Sequence, residues 1–295
     1  MQILVTGGQG FLGAWIIRRL RAQGHTARVF DVGQDTRFVR AIAGGVPDWQ
    51  VGDIADAAQV HEAAAGCDAI IHLAGILLPA CAADPLRGAR VNLIGTLNVF
   101  EAARSHGIDR IVYTSSAGVF GPEDGHHPFP MTQYGAFKLA CEGSARAYQA
   151  DHGLPSIGFR PYVVYGPGRE TGLTAGPTLA CKAAARGQPF TIGYTGAAGL
   201  VYVDDVAAAY VAAVLRPPAG SHVFNLAGEV ASTHDVAAAI RRQEPTARIT
   251  VAGPPLPMPA HLAEDGLATC LPDLPATTLT DGIIRTIAFY RGAEA

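Results

Sequence analysis

Ser116, Tyr134 and Lys138 are the residues of this sequence whose types and spacing could move a proton at an alcohol carbon. TSSAGVFG places Ser116 at the end of a strand-like run, and in YGAFK the tyrosine and the lysine are four residues apart. Residues four apart share one face of a helix. A tyrosine has an ordinary pKa of about 10, and a nearby ammonium stabilises its phenolate form. Each pattern alone is also typical of a helix cap or an amphipathic helix. Together they predict acid–base chemistry, with Ser116 holding the substrate oxygen.

Gly7, Gly10 and Gly13 follow the first strand-like run at a spacing that suits a dinucleotide. The run ILVT passes directly into GGQGFLG. In such a strand–turn–helix unit one glycine permits a tight turn, another lets the backbone approach a pyrophosphate, and the last allows close helix packing. The next helix directs its first N–H groups at the phosphates. The alternative is an ordinary glycine-rich turn, but the position behind a strand favours a dinucleotide site.

The second strand-like run ends at Asp31, 18 residues after Gly13. An acidic residue at this point binds the ribose hydroxyls of NAD and repels the additional phosphate of NADP. Arg28 and Arg37 lie on either side of Asp31, but neither follows it directly. The sequence therefore predicts NAD as the cofactor.

Strand-like runs alternate with amphipathic segments through the first half of the chain. The predicted strands are residues 2–6, 27–31, 49–51, 69–73, 110–115, 156–160 and 223–226, and the predicted helices are residues 11–23, 57–65, 92–105 and 134–151. This alternation predicts an α/β fold, a doubly wound parallel (Rossmann) sheet covered on both faces. Proline- and glycine-rich stretches after about Gly166 predict a smaller α+β substrate lobe. We expect an NAD-binding domain at 1–166 and about 200–227, and the lobe at about 167–199 and 228–295.

The composition indicates a globular protein whose partner is a small molecule. The chain has 295 residues, is 49% hydrophobic and 16% charged, and has a formal net charge of −3. That charge gives no reason to expect nucleic acid or an anionic membrane as a partner. No apolar run approaches the roughly 20 residues that cross a bilayer, and we find no signal-peptide pattern. The five cysteines lack metal-ligand spacing, which predicts no metal site and a reducing, cytoplasmic location.

In their order and spacing the motifs resemble those of extended short-chain dehydrogenases/reductases, the NAD-dependent epimerase/dehydratase family. The resemblance is carried by TGGQGFLG, VGDI, HLAG, VNLIGT, SSAGVFG, YGAFK, RPYVVYGPG and YVDDVA. Asn92 resembles the asparagine that steadies the active-site helix. The resemblance implies these cofactor-binding residues: Gly7, Gly10, Phe11, Leu12, Gly13, Asp31, Asp53, Ile54, Leu73, Ala74, Gly75, Asn92, Ser115, Tyr134, Lys138, Pro161 and Val163.

The resemblance also implies a mechanism. Tyr134, as a phenolate beside Lys138, takes the proton of a substrate hydroxyl while hydride moves from the carbon to the nicotinamide of NAD. Ser116 orients the oxygen, and Lys138 also holds the nicotinamide ribose.

Two departures from the nucleotide-sugar members favour a smaller substrate. Val163 and Val164 stand where those members carry an asparagine, and segment 196–200 lacks their arginine. A diphosphate would then lose charge-assisted hydrogen bonds. We therefore expect a free sugar, a sugar acid or another secondary alcohol. Arg169 is either an anion clamp or a solvated loop residue, and His126 either lines the substrate mouth or belongs to a polar surface loop.

Three functions remain open at this point. The first is an NAD-dependent oxidoreductase acting on a secondary alcohol or ketone of a small polyhydroxylated substrate. The second is a sugar or nucleotide-sugar epimerase, which needs the same three catalytic residues. The third is a non-catalytic NAD-binding regulator, which would be expected to lose the Tyr134–Lys138 pair. The family also implies a homodimer, formed by the helices that follow Asn92 and Tyr134.

Overall fold

The computed structural model describes residues 1–292. Their strands are Gln2–Thr6 (β1), Thr26–Asp31 (β2), Asp48–Val51 (β3), Ala69–His72 (β4), Ile111–Thr114 (β5), Ser156–Pro161 (β6), Val163–Tyr165 (β7), Phe190–Ile192 (β8), Ala197–Tyr202 (β9), Ser221–Leu226 (β10), Glu229–Ser232 (β11) and Ile249–Val251 (β12). Their α-helices are Phe11–Ala22 (α1), Arg37–Ala43 (α2), Ala57–Ala64 (α3), Leu78–Ala83 (α4), Pro85–Ala89 (α5), Gly95–His106 (α6), Gln133–His152 (α7), Gly176–Ala185 (α8), Val203–Leu215 (α9), Thr233–Gln243 (α10), Leu267–Cys270 (α11) and Leu279–Gly292 (α12). A π-helical turn at Arg90–Ile94 leads into α6, and a 3₁₀ turn at Ala117–Val119 follows β5.

The main sheet has seven parallel strands in the order β10-β6-β5-β4-β1-β2-β3. Each of the seven predicted strand runs lies in this sheet, so the predicted Rossmann fold is confirmed. β2 pairs with one edge of β1 and β4 pairs with the other edge, so the strand order reverses at β1. Ligands of such sheets bind at the carboxyl ends of the strands where this order reverses. That point lies between β1 and β4.

Alternate residues of β1 bury opposite faces of the sheet. Ile3 and Val5 belong to a core cluster that includes residues of α1 and α9, whereas Leu4 belongs to a second cluster with residues of α3, α6 and α7. All three side chains are fully buried. Because both faces are covered, the strands read as continuous apolar runs, which is why the sequence identified them.

The two smaller sheets were not predicted strand by strand. β7 pairs with β9, and β9 with β11, while β8 pairs with β12. β7 therefore leaves the main sheet, although it lies inside the segment 1–166 that we assign to the NAD-binding domain. Helices α8, α10 and α12 pack on one another beside these sheets. The predicted domain boundaries stay a prediction.

The start of α9 is tied to distant parts of the chain by two aspartates. Asp204 pairs with Arg19 of α1 at 2.7 Å. The Asp205 carboxylate accepts hydrogen bonds from the backbone N–H and the hydroxyl of Thr277 at 2.6 and 2.8 Å. These contacts give both carboxylates a structural role.

No helix within residues 1–292 has the length and apolarity needed to span a membrane. In the same residues, no three side chains of His, Cys, Asp or Glu converge as a metal site. All five cysteines are free thiols.

Candidate active site

The glycine turn after β1 fits the close approach of a backbone to a ligand. Gly7 has a φ of +70°, and a Cβ there would lie 2.6 Å from the backbone nitrogen of Ala74. Its N–H donates to the carbonyl of Phe30 at 2.9 Å. A Cβ on Gly13 would lie 2.6 Å from the Cα of Gly8, so α1 packs tightly on the turn. Only glycine satisfies both positions without moving backbone.

The N-terminus of α1 leaves several N–H groups for a ligand. Gly10 is the N-cap residue, no side chain caps the helix, and its first turn carries no acidic residue. The first N–H groups of a helix have no intrahelical partner. Together with the positive end of the helix dipole they suit an anion such as a pyrophosphate. The residues of the turn therefore fit the phosphates of a dinucleotide.

Next to the turn lies a cavity of about 540 Å³ that suits an adenosine. Asp31 lines it, and its carboxylate accepts the N–H of Gln9 at 3.0 Å. The two arginines near Asp31 in sequence are paired elsewhere. Arg28 donates to Asp48 at 2.9 Å, and Arg37 pairs with Asp35 at 2.6 Å. Neither of these two arginines lines the cavity, whose lining includes Arg87 and Arg90 instead.

Asn92 holds the loop that joins the two halves of the cleft. It lies fully buried in the π-helical turn Arg90–Ile94. Its side-chain oxygen accepts the N–H of Ile76, and its side-chain nitrogen donates to the carbonyl of Ile76, both at 3.1 Å. Its own carbonyl accepts from the Cys141 thiol of α7 at 3.3 Å. Asn92 thus connects the loop after β4 with the helix that carries Tyr134.

Ser116, Tyr134 and Lys138 lie together in the second half of the cleft, a cavity of about 380 Å³. Tyr134 is in the first turn of α7, and Lys138 is one turn later, with its ammonium 5.8 Å from the tyrosine ring centroid. The Lys138 side chain is only 3% exposed and donates to the carbonyl of Thr114 at 2.7 Å. The Ser116 hydroxyl accepts the N–H of Gly118 at 3.0 Å.

Gly118 keeps space open between the serine and the tyrosine. A Cβ at this position would lie 3.2 Å from the Ser116 oxygen and 3.7 Å from Cδ1 of Tyr134. A larger residue would fill the region where a substrate oxygen meets both hydroxyls. No pattern in the sequence singles out this glycine.

A buried ion pair fixes the elements that carry the three residues. Arg160 of β6 forms two hydrogen bonds with Glu142 of α7, at 2.7 and 2.6 Å. The Glu142 carboxylate also accepts from the Ser115 hydroxyl at 2.5 Å. Glu142 is fully buried, one helical turn after Lys138, and Ser115 directly precedes Ser116. This network positions the end of β5 against α7.

His72 lies below the glycine turn as a neutral side chain. Its ring nitrogens bond to the hydroxyls of Thr6 at 2.7 Å and Thr96 at 3.0 Å. Burial lowers the pKa of His72 to about 3, and the positive charge of Lys138 contributes to this shift. The imidazole is therefore uncharged at neutral pH.

Arg169 faces the cleft. It lines the same cavity as Tyr134, together with apolar side chains such as Leu77, Leu173 and Met258. Burial lowers the pKa of its guanidinium, while the nearby phenols of Tyr134 and Tyr194 oppose that shift. Its half-buried position in the cleft differs from that of a solvated loop arginine, and the role of an anion clamp stays a prediction.

His126 does not line the cleft. It is exposed on the loop between β5 and α7, where its N–H donates to the Asp124 carboxylate at 2.7 Å. Asp124 also bonds to the ring of His127 at 2.9 Å. These local bonds hold both histidines on the outer side of the loop, which corrects the expectation that His126 lines the substrate mouth.

The structure brings the other predicted site residues together. All seventeen predicted cofactor residues line one or both halves of the cleft, as do Ser116 and Arg169. Their roles stay predictions. Further lining residues were missed. Gln9 lies between the glycines of the turn, and the others sit outside the quoted motifs: Val32, Arg87, Arg90, Leu77, Leu78, Thr171, Leu173, Thr174 and Met258.

Comparison with curated proteins gives relatives with several activities. The chain is 32% identical over 263 residues to UDP-glucose 4-epimerase of Azospirillum brasilense, covering 80% of this chain and 75% of that protein. It is 32% identical over 166 residues to uronate dehydrogenase of Pseudomonas syringae pv. tomato, covering 54% of this chain and 58% of that protein. The chain spans only about half the length of some other curated relatives that it matches.

A solved structure of similar fold covers the whole chain. UDP-glucose 4-epimerase of Thermus thermophilus, in complex with NAD, superposes with a TM-score of 0.85 at 28% identity, covering 99% of this chain and 100% of that chain. The model of the NAD dependent epimerase/dehydratase family matches residues 3–227. The resemblance drawn from the motifs is thereby confirmed, and so, at the level of the family, is NAD as the cofactor. This chain belongs to the NAD-dependent epimerase/dehydratase family.

Proposed function

We propose that this protein is an NAD-dependent oxidoreductase that acts on a secondary alcohol or ketone of a small polyhydroxylated substrate. The observation that carries the proposal is the convergence of Ser116, Tyr134 and Lys138 at the end of a cleft that begins at the glycine turn. A regulator without catalysis would have no use for a buried lysine placed beside a tyrosine.

Each of the three residues has a separate role in the proton transfer. Tyr134 takes the proton of the substrate hydroxyl as a general base. Lys138, held by the Thr114 carbonyl, places a positive charge 5.8 Å from the ring centroid of Tyr134, where it stabilises negative charge on the tyrosine during the transfer. The Ser116 hydroxyl donates a hydrogen bond to the substrate oxygen, where negative charge develops.

The residues of the glycine turn would hold NAD. Its phosphates suit the N-terminus of α1, and its adenosine ribose suits Asp31. When bound, NAD would accept the hydride from the carbon whose hydroxyl group gives its proton to Tyr134. The protein contributes the placement of the substrate and the electrostatics around it.

The charges of the cleft support a substrate smaller than a nucleotide sugar. Among the described residues that line its second half, Lys138 and Arg169 are the cations. Val163 and Val164 line it, at the positions where the resemblance implies an asparagine in the nucleotide-sugar members. A diphosphate bound there would lack most of its charge-assisted hydrogen bonds.

An epimerase is the second candidate. This candidate is favoured by the similarity of the chain to UDP-glucose 4-epimerases, one of which aligns with 99% of this chain. An epimerase returns the hydride to the substrate, so it forms an isomer without net NADH. The two candidates use the same three residues and differ in product.

The Tyr134→Phe variant tests the proposal. We expect it to bind NAD with wild-type affinity, measured by calorimetry, and to lose most turnover in either direction because no group is left to take the proton. Phe137→Leu, a neighbouring substitution on the same helix, is the control. A Tyr134→Phe enzyme with nearly full activity would remove Tyr134 from the mechanism.

The homodimer and the cytoplasmic location remain part of the proposal. α6 and α7 would form the interface, through partly buried residues such as Leu97 and Leu139. Phe100 of α6 belongs to the core, where it stacks on Tyr148 at 4.9 Å between ring centroids. The location rests on the pattern of the cysteines.

A further inference from the structure

We infer that Arg169 and Tyr194 form a binding site for a carboxylate of the substrate, an inference that rests on the proposed function. Nε of Arg169 and the hydroxyl of Tyr194 are both buried, and neither has a hydrogen-bond partner. Tyr194 is only 5% exposed. Its ring packs at the start of α8, where a Cβ on Gly176 would lie 3.2 Å from Cε1 of Tyr194, and Arg169 contacts Thr174 just before this helix. Two unsatisfied donors therefore share one region.

Unlike Arg160 and Lys182, Arg169 has no anionic partner among the described residues. Arg160 pairs with Glu142 at 2.6 Å, and Lys182 pairs with Glu170 at 2.6 Å. Within residues 1–292 no carboxylate pairs with Arg169, whose Nη2 makes one long contact of 3.4 Å with the Thr174 hydroxyl. Arg169 is half-buried, but its Nε is fully buried without a partner, and a buried polar group is stabilised when it gains a hydrogen-bond partner. The arrangement leaves that place for a ligand.

The surroundings strengthen an ion pair at this position. Leu77, Leu173 and Met258 line the same cavity. A ligand bound there would cover Leu77 and Leu173, which are 38% and 58% exposed, and excluding water in this way strengthens an ion pair. α8 begins at Gly176 without a side-chain cap, two residues after Thr174, so the positive end of its dipole adds to the charge of Arg169.

The donors fit one carboxylate better than a diphosphate. A guanidinium presents its N–H groups in a planar fork that matches the two oxygens of a carboxylate. Lys138, the second cation of this half, is already bonded to Thr114. The Lys138 charge lies beside Tyr134, 5.8 Å from its ring centroid, so among the described residues that line this half Arg169 is the cation left for a substrate carboxylate.

The substrate class that follows is a small hydroxy acid, such as a sugar acid. Its carboxylate would bind Arg169 and Tyr194, and its secondary alcohol would meet Ser116 and Tyr134. The reaction stays balanced as proposed above: the hydroxyl proton passes to Tyr134, and the hydride passes from the same carbon to NAD, leaving a carbonyl.

Glucuronate and glucose are a suitable pair of probes because they differ only in a carboxylate and a CH₂OH group. We would titrate each into the catalytically inactive Tyr134→Phe variant saturated with NAD, so that binding is measured without turnover. Glucuronate should bind at least about tenfold more tightly than glucose, as expected for a charge-assisted hydrogen bond. Adding Arg169→Gln should weaken glucuronate binding by about 10- to 100-fold and leave glucose binding unchanged. Tyr194→Phe should weaken it by about three- to tenfold.

Lys182→Gln, which removes a cation of α8 that does not line the cleft, is the matched control and should change neither titration. NAD affinity, measured separately, should be the same in all variants. Equal binding of glucuronate and glucose, or glucuronate binding that survives Arg169→Gln, would overturn the inference. So would binding of UDP-glucose through Arg169 without binding of glucuronate. Glucuronate binding that depends on Arg169, in an enzyme that forms no NADH, would uphold the site while contradicting the proposed function.

Discussion

Replacing Glu142 by glutamine should lower the free energy of unfolding of this protein more than most conservative single substitutions. Glu142 is fully buried, and its carboxylate accepts two hydrogen bonds from Arg160 and one from Ser115. The Arg160 side chain is 13% exposed, so water cannot replace the lost partner. Removing one member of a buried ion pair costs about 3–5 kcal/mol, because the other charge remains buried alone. Glu142→Gln keeps the shape and removes only the charge.

The free energy of unfolding, from urea titration followed by circular dichroism, measures this cost. Glu101→Gln is the matched control, because Glu101 pairs with Arg104 at 2.7 Å with both side chains about half exposed. An exposed pair contributes about 0–1 kcal/mol. The double variant Glu142→Gln/Arg160→Met should recover part of the loss, since no charge then stays unpaired.

A loss of less than about 1 kcal/mol for Glu142→Gln, equal to that of the exposed control, would refute the reasoning. The activity of the Glu142→Gln variant gives a second test of the network. Because Ser115 and Glu142 hold β5 against α7, we expect kcat to fall while the affinity for NAD is retained. A variant that unfolds less easily than predicted and keeps full kcat would show that the network does not position the site.

Three further predictions follow from single positions. Gly7→Ala places a Cβ 2.6 Å from the Ala74 backbone at a φ of +70°, so it should weaken NAD binding at least about tenfold. It should also lower stability by more than the control Gly24→Ala, whose Cβ meets nothing within 4 Å. Equal effects of the two substitutions in calorimetry and urea titration would contradict this. Asp31→Asn should reduce the preference for NAD over NADP in binding titrations, because the charge that repels the additional phosphate is removed; an unchanged ratio would mean that other residues choose the cofactor. The folded protein holds the pKa of His72 near 3, below its unfolded value of about 6.5, so the unfolded chain binds the extra proton as pH falls through this window. Stability should then decrease by up to about 1.4 kcal/mol per pH unit below pH ~6.5, and a His72→Asn variant that shows the same slope would exclude His72 as its source.

The sequence was sufficient for the main sheet because each of its strands is buried on both faces and so reads as a short apolar run. β2 and β6 were predicted to within one residue at each end. The smaller sheets could not be predicted in the same way. β7 and β8 have only three residues each, and their pairing with β9 and β12 depends on contacts between distant segments.

In the candidate site, too, local sequence predicts some residues and only the fold brings the others together. Gly7, Asp31 and Tyr134 sit at strand or helix ends inside recognisable motifs, so local sequence was enough to select them. Tyr194 and Met258 reach the region of Arg169 from segments that follow no motif, and only the folded chain brings them near it. His126 shows the opposite case, since a chemically suitable residue in a nearby loop is held outward by Asp124.

The most direct test of the proposed chemistry is the near-ultraviolet absorbance of NADH after wild-type protein and NAD are mixed with two panels of compounds. One panel holds free sugars, sugar acids and polyols, and the other holds UDP- and GDP-sugars. We predict that NADH accumulates with a member of the first panel, most strongly a sugar acid, and that Tyr134→Phe abolishes the signal. Conversion of nucleotide sugars alone, into isomers without net NADH, would contradict this prediction.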